Sequence, residues 1–193
     1  MSKKVKKEKY SFFNYFKPSM TLKNFSELDI YLLKINKIKL FICDLDNTLA
    51  PTFNSIPSRA AIKFVEDIKN MGIKFWVCSN NRKKRVEKFC QYIKPDGFVS
   101  FAMKPTKFKI KKILKKENVS PDETIVMGDQ FVIDVFVANR LGCKSLLVVP
   151  LAGQAKSGST RLTNYLEKKV YNKLAQNNIL TNVKSFENDT KLL

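Results

Sequence analysis

From residue 38 onward, short apolar runs alternate with segments of helical pattern. The runs are rich in β-branched and aromatic residues and lack polar alternation, which is typical of strands covered on both faces. They are Leu40–Cys43, Ile73–Cys78, Gly97–Phe101, Thr124–Gly128 and Lys144–Val149, and the helical patterns lie near 58–71, 82–93, 105–117 and 130–142. Such alternation implies right-handed crossovers and a parallel sheet. We predict an α/β three-layer sandwich with a five-stranded, Rossmann-like sheet in the order 5-4-1-2-3.

The segments outside this core allow two interpretations. Residues 1–37 contain a lysine run at 3–9 followed by aromatic residues, and they form either a membrane-interface segment or a strap that covers one sheet edge. Residues 159–175 predict a basic amphipathic helix that serves either core packing or membrane contact. Its Leu162, Leu166, Val170 and Leu174 are spaced for one face. We therefore assign a core domain to 38–175 and a polar, frayed tail to 176–193.

The composition excludes several classes of site. The chain has no histidine, which rules out His-based nucleophile pairs, general bases and metal ligands. Its four cysteines show no CxxC spacing and fit buried free thiols in a reducing compartment. No signal peptide or apolar run long enough for a bilayer is found, so we expect a cytoplasmic protein.

The net charge of +19 favours anionic partners: a membrane surface, nucleic acid or small phosphorylated molecules. A lysine bias from AT-rich codons is the alternative source of this charge.

Two acids follow the first predicted strand, at Asp44 and Asp46. Carboxylates this close repel each other unless a cation lies between them or one of them holds a proton. In open α/β sheets, ligands bind at the carboxyl ends of the strands. The pattern therefore predicts a site for Mg2+ and phosphate.

Polar groups also follow the later strands. They are Ser79-Asn80-Asn81, Lys104-Pro105 and Gly128-Asp129-Gln130, with Asp134 further along. Because parallel strands end at the same sheet edge, we expect a hydroxyl, a cation and further carboxylates to meet the first two acids there.

This order of motifs resembles the haloacid dehalogenase (HAD) superfamily of phosphohydrolases. The resemblance covers about residues 12–175 and is strongest to the capless branch of YqeG-type phosphatases and their phosphatidylglycerophosphatase relatives. It rests on four motifs in order: Asp-Leu-Asp-Asn-Thr-Leu at 44–49, Ser-Asn-Asn at 79–81, Lys-Pro at 104–105 and Gly-Asp-Gln…Asp at 128–134.

The resemblance implies a catalytic role for each matching residue. Asp44 would be the nucleophile that forms an aspartyl-phosphate, and Asp46 would protonate the leaving oxygen and then activate water. Ser79 would hydrogen-bond the transferring phosphoryl group, helped by the amide of Asn80. Lys104 would neutralise phosphoryl charge and steady the nucleophile.

The same resemblance implies the metal ligands. Mg2+ would be held by the carboxylates of Asp44 and Asp129 and by the backbone carbonyl of Asp46, with Asp134 as a close or water-mediated partner. The relatives usually have threonine where this chain has Ile133, and a lost hydroxyl there would loosen the support of the ligands.

The short gaps between motifs leave no room for the cap domain that covers the site in larger relatives. An open site favours a phosphate attached to something larger than a metabolite. Arg82 and Arg85 stand near the start of the helix after Ser79, where the helix dipole disfavours cations. We predict that they bind a second anionic group of the substrate.

Three functional hypotheses follow. The first is an Mg2+-dependent phosphomonoesterase acting on a membrane-borne anionic phosphate such as phosphatidylglycerophosphate, with peripheral contact at the inner face of an anionic membrane. The second is a phosphatase of nucleotides or polynucleotide ends. The third is a non-catalytic basic binding module, for example one associated with ribosomes.

Overall fold

Six parallel strands form the central sheet of the computed structural model, which describes residues 12–151 and 161–176. The order is β1-β6-β5-β2-β3-β4, and each pair is parallel. The strands are β1 Met20–Leu22, β2 Leu40–Cys43, β3 Lys74–Cys78, β4 Gly97–Val99, β5 Thr124–Gly128 and β6 Lys144–Val148. The predicted α/β class and the order of the five predicted strands are confirmed.

The sixth strand corrects the predicted count of five. β1 comes from the segment predicted as a strap, and it pairs with β6 from Met20↔Leu146 to Leu22↔Val148. The Asn139 side chain fixes the segment that leads into β1, because it donates to the carbonyl oxygens of Tyr15 (2.9 Å) and Lys17 (2.7 Å). Three residues at an edge produce no recognisable pattern, which explains the omission.

Helices cover both faces of the sheet. They are α1 Tyr31–Ile35, α2 Arg59–Asn70, α3 Lys83–Ile93, α4 Phe108–Glu117, α5 Phe136–Leu141 and α6 Arg161–Gln176. Buried side chains of α1, α2 and α3 pack on one face, around Phe41 and Phe75, whose rings stack at 5.4 Å. Those of α4 and α5 pack on the other face, around Leu40 and Ile42. The three layers are therefore α, β and α, as predicted.

Local capping residues mark two helix ends. The Ser58 hydroxyl accepts from the Ala61 amide (3.1 Å) at the start of α2, and Gly142 ends α5 at φ +81°. The strand predicted at 97–101 stops at Val99, because Phe101 has φ +46° and cannot continue it. The helix predicted at 130–142 begins with a π-helical turn at Phe131–Val135.

The last helix differs from its predicted packing. α6 buries Glu167, Val170 and Leu174, whereas Leu162 and Leu166 are exposed. The predicted apolar face was therefore wrong by part of a turn. The cause is Glu167, whose carboxylate is needed inside as an acceptor for backbone amides, so the buried face turns toward it.

Among the described residues, no helix is both long and apolar enough to cross a bilayer. The lysine run at 3–9 and residues 177–193 of the predicted tail lie outside the described residues.

Candidate active site

A cleft of about 400 Å³ opens where the strands end. Because all six strands are parallel, the loops after β2, β3, β4 and β5 meet at one edge of the sheet. The cleft is lined by residues from each of the predicted motifs, including Asp44, Asp46, Ser79, Lys104 and Asp134. The four motifs therefore converge, as the sequence predicted.

Lys104 lies between two carboxylates at the base of this cleft. Its Nζ is 2.8 Å from Asp44 Oδ1 and 2.6 Å from Asp134 Oδ1, and its side chain is 2% exposed. Burial acts to lower the pKa of Lys104, but Asp134 and Asp44 outweigh it and hold the pKa well above its ordinary value. Lys104 is therefore a permanent cation beside Asp44.

The backbone of Lys104 is held by Asn80. The Asn80 side chain accepts from the Lys104 amide (2.8 Å) and donates to the Lys104 carbonyl oxygen (2.9 Å). The sequence predicted that the Asn80 amide binds phosphate. The structure shows a further task for this residue, since its side chain joins the loops after β3 and β4.

Three carboxylates form a cluster suited to a cation. Ligand oxygens of Asp44, Asp129 and Asp134 lie within 4.8 Å of one another. Both carboxylate oxygens of Asp129 are buried and have no hydrogen-bond partner among the described residues. Burial raises the pKa of Asp129 to about 8, and the nearby charges of Asp134 and Asp44 add to the effect. Oxygen donors left unsatisfied in this way fit a hard divalent cation.

The π-helical turn after β5 positions Asp134. Its Oδ2 accepts from the Gln130 amide (3.3 Å), and its side chain packs directly over Gly128. A Cβ on Gly128 would lie 2.1 Å from the Asp134 Cγ, so only glycine fits there. Burial raises the pKa of Asp134 to about 6, while Lys104 acts to lower it. Ile133, at the position where the relatives usually have threonine, lines the cleft beside it.

Asp46 is held by hydrogen-bond donors of its own. Its Oδ2 accepts from Asn81 Nδ2 (3.0 Å) and its Oδ1 from Arg85 Nη2 (3.1 Å). Burial raises the pKa of Asp46, and these two donors act against that rise. The carboxylate of Asp46 is thus oriented apart from the three-acid cluster, which suits the predicted proton-transfer role better than side-chain metal ligation.

Arg85 differs from its prediction as a substrate-binding residue. Its side chain is 13% exposed and lies under the loop after β2, paired with Asp46 and stacked on the Phe89 ring at 5.5 Å. Arg82, by contrast, is exposed and lines the cleft. One helical turn separates the two arginines, and only Arg82 is placed to meet a ligand.

Ser79 is buried at the cleft floor directly after β3. Its hydroxyl accepts from the Asn81 amide (3.1 Å), which shapes the start of the following loop. A hydroxyl that accepts one hydrogen bond can still donate another, so Ser79 remains able to bind a phosphoryl oxygen as predicted.

Two supporting residues escaped sequence analysis. Asn81 was part of a predicted motif but had no assigned role, and it holds Asp46. Glu167 of α6 accepts from the amides of Phe131 (3.2 Å) and Val132 (2.8 Å), at the start of the turn that carries Asp134. An acid on an otherwise amphipathic helix carries no sequence signal for a contact 35 residues away.

Comparison with known proteins agrees with this architecture. A model of the haloacid dehalogenase-like hydrolase family matches residues 12–148. The chain is 31% identical over 162 residues to Probable phosphatase YqeG of Bacillus subtilis (strain 168), a match that covers 83% of this chain and 92% of that protein. The predicted resemblance to this superfamily and to its YqeG-type branch is confirmed.

Similar solved structures have low sequence identity to this chain. An uncharacterized protein from Listeria monocytogenes serotype 4b has a TM-score of 0.50 and 17% identity, covering 61% of this chain and 84% of that chain. The 3-deoxy-D-manno-octulosonate 8-phosphate phosphatase of Moraxella catarrhalis, solved with magnesium, phosphate and KDO, has a TM-score of 0.44 and 15% identity, covering 53% and 64%. By its family match and its relative, the chain belongs to the haloacid dehalogenase-like hydrolases.

Proposed function

We propose that this hydrolase is an Mg2+-dependent phosphomonoesterase that works through an aspartyl-phosphate. The observation that carries the proposal is Lys104, buried between Asp44 and Asp134 beside the unsatisfied oxygens of Asp129. A nucleophile, a fixed cation and a cluster of oxygen donors in one cleft are what phosphoryl transfer requires. A pure binding module would not need these buried charges.

In the first half-reaction, a carboxylate oxygen of Asp44 attacks phosphorus. The bond from phosphorus to the ester oxygen breaks, and its electron pair goes to the leaving oxygen, which takes a proton from Asp46. Lys104 and the Ser79 hydroxyl stabilise the negative charge on the transferring group. When bound by Asp44, Asp129, Asp134 and the Asp46 carbonyl, Mg2+ would neutralise phosphoryl charge as a Lewis acid.

In the second half-reaction, water attacks the aspartyl-phosphate. Asp46, now a carboxylate, accepts a proton from this water, and the bond between phosphorus and Asp44 breaks to release phosphate. Both half-reactions use the same proton carrier. The hydrogen bonds from Asn81 and Arg85 favour the carboxylate of Asp46, so they assist the first half-reaction, in which this carboxylate forms, and not the second, in which it takes up a proton.

The substrate proposal follows from the open cleft. Within the described residues, the loops between the motifs hold no inserted domain that could close over a small molecule. Arg82 at the cleft wall suits a second anionic group on the substrate. Phosphatidylglycerophosphate offers both a terminal phosphomonoester and a diester phosphate, and it is our specific candidate.

The test is phosphate release from a panel of lipid, nucleotide and sugar phosphates, with and without Mg2+. We expect Mg2+-dependent turnover that falls by about a thousandfold or more in Asp44→Asn, with phosphatidylglycerophosphate giving the highest kcat/KM. A preference for nucleotides or polynucleotide ends would replace the substrate proposal. Turnover that survives in Asp44→Asn would refute the mechanism.

A further inference from the structure

Basic residues occupy the first turns of four helices that begin near the cleft. The helices α2, α3, α4 and α6 have no acid in their first turn. Basic residues stand there instead: Arg59, Lys83, Lys84, Lys109 and Arg161. Cations at helix N-termini oppose the helix dipole and lower stability. These helices begin at the cleft edge, so their cations lie around the cleft and not beside the opposite ends of the strands.

Acids do occur in the connections that enter the strands. Asp96 precedes β4, Glu117 ends α4, and Asp122 and Glu123 precede β5. These positions lie at the opposite edge of the sheet from the cleft. Lysines stand at that edge too and pair with these acids, as Lys39 does with Glu123 (2.6 Å) and Lys74 with Asp96 (3.3 Å). What distinguishes the cleft edge is that the basic first turns of its helices carry no acid.

Exposed apolar side chains surround the mouth of the cleft. Phe53, Phe101, Met103, Leu162 and Tyr165 are between 55% and 66% exposed. Phe101 itself lines the cleft, and Thr52 and Thr163, the neighbours of Phe53 and Leu162, line it too. The five exposed side chains come from the loops after β2 and β4 and from α6. These three segments thus place large apolar groups beside the entrance rather than in the core.

Two of these side chains are held out by an unusual backbone. Phe101 has φ +46° and Met103 has φ +54°, a region that residues other than glycine rarely adopt. The loop is fixed by the Phe101 amide, which donates to the Asn81 carbonyl oxygen (3.0 Å), and by the Thr106 amide, which donates to that of Met103 (2.9 Å). The exposed positions are therefore part of an ordered loop.

The last helix presents two different faces. Glu167, Val170 and Leu174 attach it to the body of the protein. Leu162 and Tyr165 stand on another side of the helix, together with the exposed Lys169. Apolar groups mixed with lysines are what an interfacial helix presents to lipid headgroups.

We infer that the cleft edge is a docking surface for an anionic phospholipid bilayer. We call it the mouth face and define it by Phe53, Phe101, Met103, Leu162 and Tyr165 with the basic first turns of α2, α3, α4 and α6. The apolar side chains enter the headgroup region while the basic residues bind anionic lipid. Nucleic acid would satisfy the cations but offers no partner for exposed leucine and methionine. The inference rests on the proposed function, since docking brings the cleft to a membrane-borne phosphate.

The experiment is flotation of the full chain with vesicles, measured without catalysis. We expect binding to vesicles with roughly one-third phosphatidylglycerol and little binding to neutral phosphatidylcholine. The double variant Leu162→Ser/Tyr165→Ser should bind the anionic vesicles roughly tenfold to a hundredfold less tightly. Its turnover of a soluble phosphate ester should be unchanged.

A matched control uses α1, which leads into β2 at the opposite edge. Tyr31 and Ile35 are 69% and 73% exposed, so Tyr31→Ser/Ile35→Ser removes similar apolar surface and should leave vesicle binding intact. Equal losses of vesicle binding in the two double variants would overturn the inference. Equal binding to neutral and anionic vesicles would overturn it as well. So would binding to an oligonucleotide in preference to anionic vesicles.

The outcomes also separate docking from catalysis. Asp44→Asn should still bind vesicles, because it keeps the mouth face. An inactive wild-type protein that docks would refute the proposed function alone. An active protein that ignores vesicles would refute the inference alone.

Discussion

Arg85 provides the sharpest test of how Asp46 works. In the proposed mechanism, Asp46 gives its proton to the leaving oxygen, and negative charge develops on its carboxylate. Arg85 Nη2 lies 3.1 Å from that carboxylate, and both side chains are largely buried, at 13% and 16% exposed. A charge-assisted hydrogen bond of this kind contributes about 1.5–3 kcal/mol. Arg85→Ala should therefore lower kcat by roughly tenfold to a hundredfold.

The loss should depend on the leaving group. An alkyl alcohol needs a proton in order to leave, so the full effect is expected for a glycerol-type phosphate ester. A nitrophenolate leaves without help, so p-nitrophenyl phosphate should be hydrolysed at nearly the wild-type kcat. Steady-state kinetics on both esters, with excess Mg2+, measures this difference directly.

Arg82→Ala is the matched control, because it removes an arginine of the same helix end that does not contact Asp46. This variant should raise KM for a substrate with a second anionic group, and its ratio of kcat on alkyl and aryl esters should equal that of the wild type. Equal losses of kcat on alkyl and aryl esters in Arg85→Ala would refute the reasoning. A rise in KM with kcat unchanged would return Arg85 to the substrate-binding role predicted from sequence.

Three further outcomes are expected. Lys104→Met removes the cation between two buried carboxylates and should lower the free energy of unfolding by about 3–5 kcal/mol near pH 8. Lys104 acts to lower the pKa of Asp134, so this pKa should be higher in the variant than its wild-type value of about 6, and denaturant titration should show the loss shrinking as the pH falls toward 6. Because the pKa of Asp129 in the metal-free fold is raised to about 8, Mg2+ must displace its proton. The Mg2+ affinity measured by calorimetry should therefore rise by about tenfold per pH unit up to that value and level off above it, a dependence that Asp129→Asn should abolish. Gly128→Ala should displace Asp134 and reduce kcat by about a hundredfold or more, whereas Gly72→Ala, where a Cβ meets no atom within 4 Å, should affect only stability.

Much of this architecture follows from local patterns. Fully buried strands produce continuous apolar runs, and parallel topology brings the residues after each run to the same edge. Asp44, Ser79, Lys104 and Asp129 could therefore be placed together from the sequence alone. Ser58 and Gly142 were predictable for a similar reason, because helix caps depend on a few neighbouring residues.

Contacts that depend on side-chain direction could not be predicted. Arg82 and Arg85 look equivalent in sequence, but one residue begins the helix and the other lies a turn inside it, where it turns inward to Asp46. The short strand at Met20–Leu22 is defined only by its partner β6. The buried face of α6 is set by the acceptor Glu167, so apolar spacing alone misplaced it.

The two hydrogen bonds that Glu167 accepts affect the order in which the parts of the cleft can form during synthesis. The Phe131 and Val132 amides, in the turn that carries Asp134, lack this acceptor until α6 packs against the turn from about 35 residues later in the chain. During synthesis, Asp44, Lys104 and Asp134 are all made before α6. The cleft can therefore reach its finished form only after α6 has been made, and truncation ahead of Glu167 would yield a chain with every candidate catalytic group and a loosened wall around them.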